Sequence, residues 1–311
     1  DGAAGNLRQA RALARAAGLS AAEIVVDLRT PWAWSAPHMP RGSRMALDAD
    51  TRRRLRPPWP RVVIGCGREA AWVTRWLRRR SRGACYCAQI LNPRLHARHW
   101  DLLITPQHDG IMGSNVLNPL GSLNPVDSGW LAAGRADFSV LAELPRPRVA
   151  VLLGGPRRGV AFDEAYLRDL IAGLHAMQAR DGGSFLLSAS ARTPPAFAPA
   201  VRAALTDFPG LAWTSEADGN NPYAGLLAWA DRIVVTPDSV NMLSEAAASG
   251  APTHTLVSRA LPARLQRFHD ALHAGGWLHA LDAQAPAPKQ PLRETGAIAA
   301  ELLRRLAQNK R

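Results

Sequence analysis

Four polar residues at the start of a predicted helix have the types and spacing of a ligand-binding surface. Asp238 and Ser239 stand where the helix should begin, and Ser244 and Glu245 follow within two turns. Backbone N–H groups at a helix start attract anions, and a carboxylate accepts hydrogen bonds from two vicinal hydroxyls. We predict that Ser239 faces a phosphate, that Glu245 faces sugar hydroxyls and that Asp238 caps the helix. A capped helix without a ligand is the alternative.

A glycine-rich turn follows the predicted strand at residues 149–153. Gly154 and Gly155 let the backbone approach an anion closely, and Arg157 supplies positive charge. The turn lacks the Gly-Lys-Ser/Thr ending of a Walker loop and the full dinucleotide-binding spacing. We predict that it contacts a phosphate; an ordinary flexible turn is the alternative.

Two further loops follow strands or precede helices in the same half of the chain. The segment SASARTP contains Ser188 and Arg192, which we predict to bind an anion, although helix capping alone would explain its threonine. In the segment NPY, Asn221 and Tyr223 either cap a helix or contact the ligand. Ligands bind at the carboxyl ends of strands in open α/β sheets, so all these loops are expected at one edge.

His108 and Asp109 are the candidate catalytic residues of the first half. They follow a predicted strand at residues 101–105 and a proline. A histidine can act as general base toward an acceptor hydroxyl, and the aspartate would fix its tautomer if the two side chains touch. A surface turn is the alternative.

Small and polar residues in other loops of the first half are predicted to line the acceptor side of a cleft. The turn at Gly67 could instead serve only to let a helix pack tightly. The candidates are Gly2, Gly5, Gly65, Gly67, Arg68 and Asn115.

The elements that position these residues alternate between apolar runs and helical patterns. This alternation predicts an α/β fold with two Rossmann-like domains whose parallel sheets face a central cleft. The break LPRPR predicts domains at residues 1–145 and 146–311, with the last helix able to pack back on the first domain. The predicted strands are residues 23–28, 62–65, 85–91, 101–105, 149–153, 184–188, 211–214, 232–236 and 253–257.

The charge of the chain predicts an anionic partner. The formal net charge is +13, and all but two of the 38 basic residues are arginine. A phosphorylated ligand or an anionic membrane surface fits this excess. No nucleic-acid-binding module is recognisable, so we predict no nucleic-acid partner. Trp72 and Trp76, beside several arginines, indicate either membrane docking or a core-facing stripe with a solvated arginine face.

The remaining composition predicts the compartment and the absence of metal. Three cysteines favour a reducing compartment, and no second pair of ligands with metal-binding spacing accompanies Cys85 and Cys87. No apolar run is long enough to span a membrane and no signal peptide is visible. We predict a cytoplasmic protein that can lie peripherally on the inner face of the membrane.

Several motifs together resemble the Elm-type mitochondrial fission family of bacteria and plants. They are HDG, GG after a strand, SARTP, NPY and VTPDSVNMLSEA, with VVIGCGREAA and AQILNPR in the first half. The stretch DSVNMLSEAAASGAP also looks like the donor-binding segment of GT-B glycosyltransferases. Ala191 stands where a second arginine is expected, which weakens the anion-binding prediction for that loop.

The resemblance implies a GT-B-like glycosyltransferase that acts on an envelope or lipid-linked acceptor. Its substrate would be a nucleotide-diphosphate sugar, with no cofactor and no metal, because arginines and a helix start can stabilise the leaving diphosphate. Two alternatives stay open: a non-catalytic adaptor at a membrane or an unknown protein partner, and a nucleotide-sugar epimerase.

Overall fold

The structure is a computed structural model that describes residues 4–30, 32–38 and 46–309. It divides into two compact units, Asp1–Pro125 with Glu294–Arg311, and Val126–Arg293. The helices are α1 Ala4–Ala16, α2 Trp32–Ser35, α3 Ala49–Arg54, α4 Arg68–Arg80, α5 Ser128–Asp137, α6 Glu164–Asp181, α7 Phe197–Ala204, α8 Tyr223–Trp229, α9 Val240–Ser249, α10 Ala263–Ala274 and α11 Thr295–Gln308. The strands are β1 Val62–Cys66, β2 Tyr86–Ile90, β3 Leu102–Ile104, β4 Val116–Leu117, β5 Arg148–Leu153, β6 Ser184–Ala189, β7 Gly210–Trp213, β8 Arg232–Val235, β9 Thr253–Thr255 and β10 Leu278–Ala280.

The first unit is built on a four-stranded parallel sheet in the order β1-β2-β3-β4. On one face, Trp72 and Leu77 of α4 pack in a core with Cys87 and Trp100. The other face packs against α1 and α11, whose apolar residues join a second core with β2 and β3. Both faces of the sheet are therefore covered, as near-continuous apolar strands require.

The second unit contains a six-stranded parallel sheet in the order β7-β6-β5-β8-β9-β10. The chain begins at β5 in the middle, moves outward to β7, and returns to β8 before moving outward in the other direction. All residues of β5 and β6 are buried. This is the Rossmann strand order, and its switch point lies between β5 and β8.

The observed division of the chain differs from the predicted boundary between residues 145 and 146. It falls at Pro125–Val126 because α5 packs against α8 in the second unit. The two helices approach so closely that a Cβ on Gly134 would overlap the backbone of Ala224. The last helix, α11, belongs to the first unit, where Leu302 and Leu306 are buried in the core with Leu13.

Two segments of the first unit differ from their predicted conformations. Residues 23–28, predicted as a strand, are not part of either sheet in the described chain, although Val26 and Leu28 are buried. The backbone N–H of Leu28 donates instead to the carboxylate of Glu69 at 3.2 Å. The small and polar residues at positions 1–6 predict a loop from sequence alone, whereas residues 4–6 form the first turn of α1.

Strand β10 was not predicted, because three residues are too short for a periodicity signal. Among the residues that the structure describes, no helix has both the length and the apolar character needed to cross a membrane.

Candidate functional site

The switch point of the second sheet brings together two of the predicted loops. Gly154 and Gly155 follow β5, and residues 236–239 follow the neighbouring β8. Crevices at such points are where ligands bind in open α/β sheets. The side chains around these two loops therefore define the candidate site.

Asp238 is the centre of the hydrogen-bond network at the switch point. Its buried carboxylate accepts bonds from the Gly155 N–H at 3.0 Å, the Thr236 hydroxyl at 2.7 Å and the Arg192 guanidinium at 3.1 Å. Burial raises the pKa of this carboxyl, while the bonds from Gly155 and Thr236 act in the opposite direction. The side chain is fully enclosed, so it acts on its neighbours rather than on a ligand.

The two glycines are required by close packing between loops. A Cβ on Gly154 would overlap the Asp238 carboxylate, and one on Gly155 would overlap the backbone of Arg192. We expected the turn to contact a phosphate, but its N–H groups bind side chains of the neighbouring loop. The N–H of Gly154 donates to Thr236 at 2.8 Å, and that of Gly155 to Asp238.

Positive charge at the switch point exceeds the single negative charge of Asp238. Arg157 donates to the backbone oxygen of Asp238 at 3.0 Å, and Arg192 pairs with its carboxylate. Burial, and then the charge of Arg264, lower the pKa of Arg157. Two guanidinium groups, those of Arg157 and Arg192, thus bond to Asp238 and only one carboxylate faces them, which favours an anionic ligand.

The loop that carries Arg192 is tied to the end of β5. The hydroxyl of Thr193 donates to the backbone oxygens of Leu153 at 2.9 Å and Gly154 at 2.6 Å. It also accepts a bond from the N–H of Ser190 at 3.0 Å. Thr193 therefore anchors this loop rather than capping α7. Ser188 is not in the loop, because β6 continues to Ala189 and buries it.

Ser239, and not Asp238, is the N-cap of α9. Its hydroxyl oxygen accepts a hydrogen bond from the N–H of Met242 at 3.3 Å. The prediction that Asp238 is the cap is therefore wrong: the helix begins one residue later, which turns the Asp238 carboxylate toward Gly155 and Thr236.

Glu245 lies inside α9 and bonds to the start of α8. Its Oε2 accepts a hydrogen bond from the Tyr223 hydroxyl at 2.6 Å, and the residue is 2% exposed. Asn221 is exposed and its side chain accepts from the N–H of Tyr223 at 3.0 Å, which is a capping contact. Ser244 is also buried, and its hydroxyl donates to the backbone of Val240 at 2.7 Å within the same helix.

His108 and Asp109 lie in the first unit, in a 3-10 turn at Gln107–Asp109. The distance from His108 Nε2 to Asp109 Oδ1 is 3.8 Å, too long for a hydrogen bond. Asp109 accepts instead from the Thr105 hydroxyl at 2.7 Å. The predicted hydrogen bond between His108 Nε2 and Asp109 Oδ1, which would fix the histidine tautomer, is therefore not formed.

The predicted acceptor-side residues have structural contacts in the first unit. A Cβ on Gly65 would overlap Gln89 and Thr74, and Gly67 has a φ of 87° just before α4. The Asn115 amide donates to the backbone oxygens of residues 97 and 100, both at 2.9 Å. These residues therefore fix the local packing of the sheet and its loops.

The role of the other acceptor-side candidates toward an acceptor stays a prediction. The exposed Arg68 donates to the backbone oxygen of Ala33 at 3.3 Å, and Gly5 lies within α1. Gly2 lies outside the described residues.

Sequence reasoning missed three residues at the switch point. The Thr236 hydroxyl accepts a hydrogen bond from the Gly154 N–H and donates one to Asp238. Its position at the end of a predicted strand could have indicated a role in the site. Tyr166 is buried, and burial raises the pKa of its hydroxyl. The negative charge of Asp238 raises that pKa further, so Tyr166 lies near Asp238. Arg264 lies in the first turn of α10, and only the fold brings it near Arg157.

Two other features of the described chain lie apart from this network. A cavity of about 430 Å³ lies between α6 and the segments after β9 and β10, and none of the residues bonded to Asp238 lines it. The described residues contain no group of three or more histidine, cysteine, aspartate or glutamate side chains able to hold a metal ion.

Comparisons with known proteins identify relatives over most of the chain. The family model described as Mitochondrial fission ELM1 matches residues 4–306. Mitochondrial fission protein ELM1 of Arabidopsis thaliana is 28% identical over 302 residues, which cover 86% of this chain and 70% of that protein. Uncharacterized protein RP120 of Rickettsia prowazekii (strain Madrid E) is 27% identical over 229 residues, which cover 63% of this chain and 64% of that protein.

A solved structure shares the fold at low identity. The UDP-GlcNAc 2-epimerase from Methanocaldococcus jannaschii superposes with a TM-score of 0.53 and 13% identity, covering 79% of this chain and 77% of that one. The likeness and the two parallel sheets confirm the prediction of a GT-B-like α/β fold. That the sheets face a central cleft stays a prediction.

Proposed function

This chain belongs to the mitochondrial fission ELM1 family, as its motifs predicted, and on that premise we propose that its second unit binds a nucleoside-diphosphate sugar and transfers the sugar. The observation that carries this proposal is the excess of guanidinium groups around Asp238 at the switch point. A diphosphate is the anion whose charge and spacing suit several guanidinium forks beside a helix start.

The diphosphate would contact Arg157, Arg192 and the start of α9. The Arg192 side chain is 56% exposed, so it can hold Asp238 with one nitrogen and present others to a ligand. Ser239 already accepts the N–H of Met242 and can still donate its own hydroxyl proton. Asp238 and Thr193 would orient the arginines without touching the ligand.

Glu245 would accept hydrogen bonds from vicinal hydroxyls of the ribose or the sugar. Its carboxylate is held by the Tyr223 hydroxyl, which fixes its direction before the ligand arrives. Because the residue is 2% exposed, a local movement of α8 must accompany access to it.

In the proposed reaction, a hydroxyl oxygen of the acceptor forms a bond to the anomeric carbon. The bond from that carbon to the phosphate oxygen breaks, and the nucleoside diphosphate leaves with the electron pair. The arginines would stabilise this leaving charge without a metal ion. The hydroxyl proton passes to a base, for which His108 stays the candidate from sequence.

A non-catalytic sugar-nucleotide-binding protein is the second candidate. It is favoured by the distance of 3.8 Å from His108 Nε2 to Asp109 Oδ1, which is too long for the hydrogen bond that the proposed catalytic pair requires. Such a protein would bind the same ligand with the same arginines, and its partner would be a protein or a membrane surface.

Calorimetric titration with UDP-, GDP- and CMP-sugars tests the binding site. We expect one nucleotide class to bind, and Arg157→Ala to weaken it about ten-fold through loss of a charge-assisted contact. Arg158→Ala is the matched control, because Arg158 is exposed and forms no side-chain hydrogen bond or ion pair with the described residues. Equal losses in both variants, or no binding by any nucleotide sugar, would overturn the proposal.

A product assay separates the candidate activities. Release of nucleoside diphosphate together with a glycosylated acceptor supports a transferase. Inversion at a sugar carbon, followed by NMR, would indicate an epimerase. Binding without turnover in an extract of membrane acceptors would favour the non-catalytic candidate.

A further inference from the structure

A second group of basic side chains lies on the first unit, far along the chain from the residues of the proposed site. It consists of Arg75, Arg79, His96, Arg98 and His99, and is called the arginine cluster below. Arg75 and Arg79 lie in the second half of α4, which returns toward the start of β2, and the others immediately precede β3. The cluster is therefore at the amino ends of the parallel strands, opposite the edge where Gly67 and His108 lie.

The fold holds the members of the arginine cluster together. Arg75 and Arg79 are four residues apart, so they project from the same face of α4. Between them in sequence, Arg78 donates to the backbone oxygen of Arg98 at 3.4 Å and to the carboxylate of Asp101 at 2.9 Å. These bonds fasten the 3-10 turn Ala97–His99 beside the helix.

The neighbouring acid does not neutralise the cluster. Both carboxylate oxygens of Asp101 are engaged, one by Arg78 and the other by the N–H of Cys87 at 2.9 Å. Within the described ranges of the chain, Arg75, Arg79 and Arg98 have no carboxylate partner. Three guanidinium groups are thus gathered on one surface without a counter-charge.

The pKa values of two members of the arginine cluster, His99 and Arg75, are lowered in part by the neighbouring positive charges. Burial lowers the pKa of His99, and the charges of Arg75, Arg79 and Arg98 lower it further, with a smaller effect from His96. Burial and then Arg79 lower the pKa of Arg75. Like charges that repel one another are relieved when an anion binds between them.

We propose that the arginine cluster binds a phosphate group. Guanidinium forks match phosphate oxygens in geometry as well as in charge. The same chemistry is presented by a soluble phosphate compound and by the headgroup of an anionic lipid. The site lies on a different unit and a different sheet edge from the proposed diphosphate site, so it stands independently of that proposal.

The test follows His99 by proton NMR in the full chain, with its resonance assigned by comparison with His99→Gln. A bound phosphate replaces repulsion by attraction, so pyrophosphate should raise the pKa of His99. A second arm measures co-sedimentation with phosphatidylcholine vesicles, with and without phosphatidylglycerol.

Arg79→Gln is the test variant and Arg80→Gln its matched control. The two arginines are adjacent, exposed and on the same helix, and neither side chain forms a hydrogen bond or ion pair with the described residues. We expect about ten-fold weaker binding for Arg79→Gln and less than a two-fold change for Arg80→Gln. Both changes are at the surface, so both variants should fold.

Each outcome decides the proposal. A rise in the pKa of His99 with pyrophosphate, lost in Arg79→Gln, supports the site and identifies a soluble phosphate ligand. Sedimentation only with phosphatidylglycerol, with the same loss, supports it and identifies a lipid headgroup. An unchanged pKa and no selective sedimentation, or equal losses in the two variants, would overturn it.

Discussion

The Asp238 carboxylate and the Arg192 guanidinium form an ion pair at 3.1 Å in which the acid is fully buried and the arginine is 56% exposed. Because Asp238 also accepts bonds from Gly155 and Thr236, its position is fixed by two loops. It can therefore direct Arg192 toward a ligand without contacting that ligand. This relationship makes Asp238 a positioning residue.

Asp238→Asn should weaken nucleotide binding five- to ten-fold while the protein stays folded. The substitution keeps the shape of the side chain and removes the charge that holds Arg192. Calorimetry on the variant measures the loss, and circular dichroism checks the fold. Unchanged affinity would show that Arg192 does not need Asp238.

Glu245→Gln should weaken binding of a nucleotide sugar but leave binding of pyrophosphate unchanged. The amide accepts fewer hydrogen bonds from hydroxyls, while the proposed contacts to the diphosphate are untouched. Competition of the two ligands in calorimetry distinguishes the effects. If both ligands lose affinity equally, Glu245 has a structural role through Tyr223 and does not select hydroxyls.

Gly155→Ala should destabilise the protein by about 2–4 kcal/mol and abolish nucleotide binding. The added methyl group would overlap the backbone of Arg192, and that backbone is held by the Thr193 anchor. Urea unfolding measures the change. The control is Gly296→Ala in α11, where a Cβ meets no atom within 4 Å and a gain of about 0.5 kcal/mol is expected.

The stability of the second unit should fall as the pH is lowered from about 7 to 5, in part through His254. Burial lowers the pKa of this histidine to about 4 from its ordinary 6.5, with a smaller contribution from the charge of Arg232. The unfolded chain binds the proton first as the pH falls through 6.5, so unfolding is favoured until the pH reaches about 4. Between pH 7 and pH 5, the free energy of unfolding of His254→Gln should fall by about 2 kcal/mol less than that of the wild type.

Urea unfolding of both proteins at pH 7 and pH 5 tests this expectation. The difference between the two pH-induced losses isolates His254, since the other buried histidine of the unit, His269, is present in both proteins. Identical losses would contradict a pKa near 4.

Much of the second unit could be predicted from its sequence. Apolar runs with a clear end, such as residues 149–153 and 232–236, predict the strands. Because the strands are parallel, the segments that follow them lie at the same edge of the sheet. Gly154, Gly155, Arg157 and Asp238 could therefore be placed near one another without coordinates.

The roles of these residues could not be predicted, because they depend on contacts between loops. Asp238 and Ser239 both suit a cap, and a shift of one residue decides which of them caps α9. Glycine N–H groups suit a phosphate or a side chain equally, and Thr236 and Asp238 occupy them here. The predicted domain boundary differs from the observed one for a similar reason, because the packing of α5 on α8 is a tertiary contact that the local sequence pattern does not show.

The proposed binding site is tested most directly by a crystal structure of the protein soaked with UDP. We predict density for the diphosphate within hydrogen-bond distance of Arg157 and Arg192, at the start of α9 beside Ser239. We also predict that the ribose hydroxyls approach Glu245. Ordered diphosphate density elsewhere, with Arg192 still bonded only to Asp238, would contradict the proposed site.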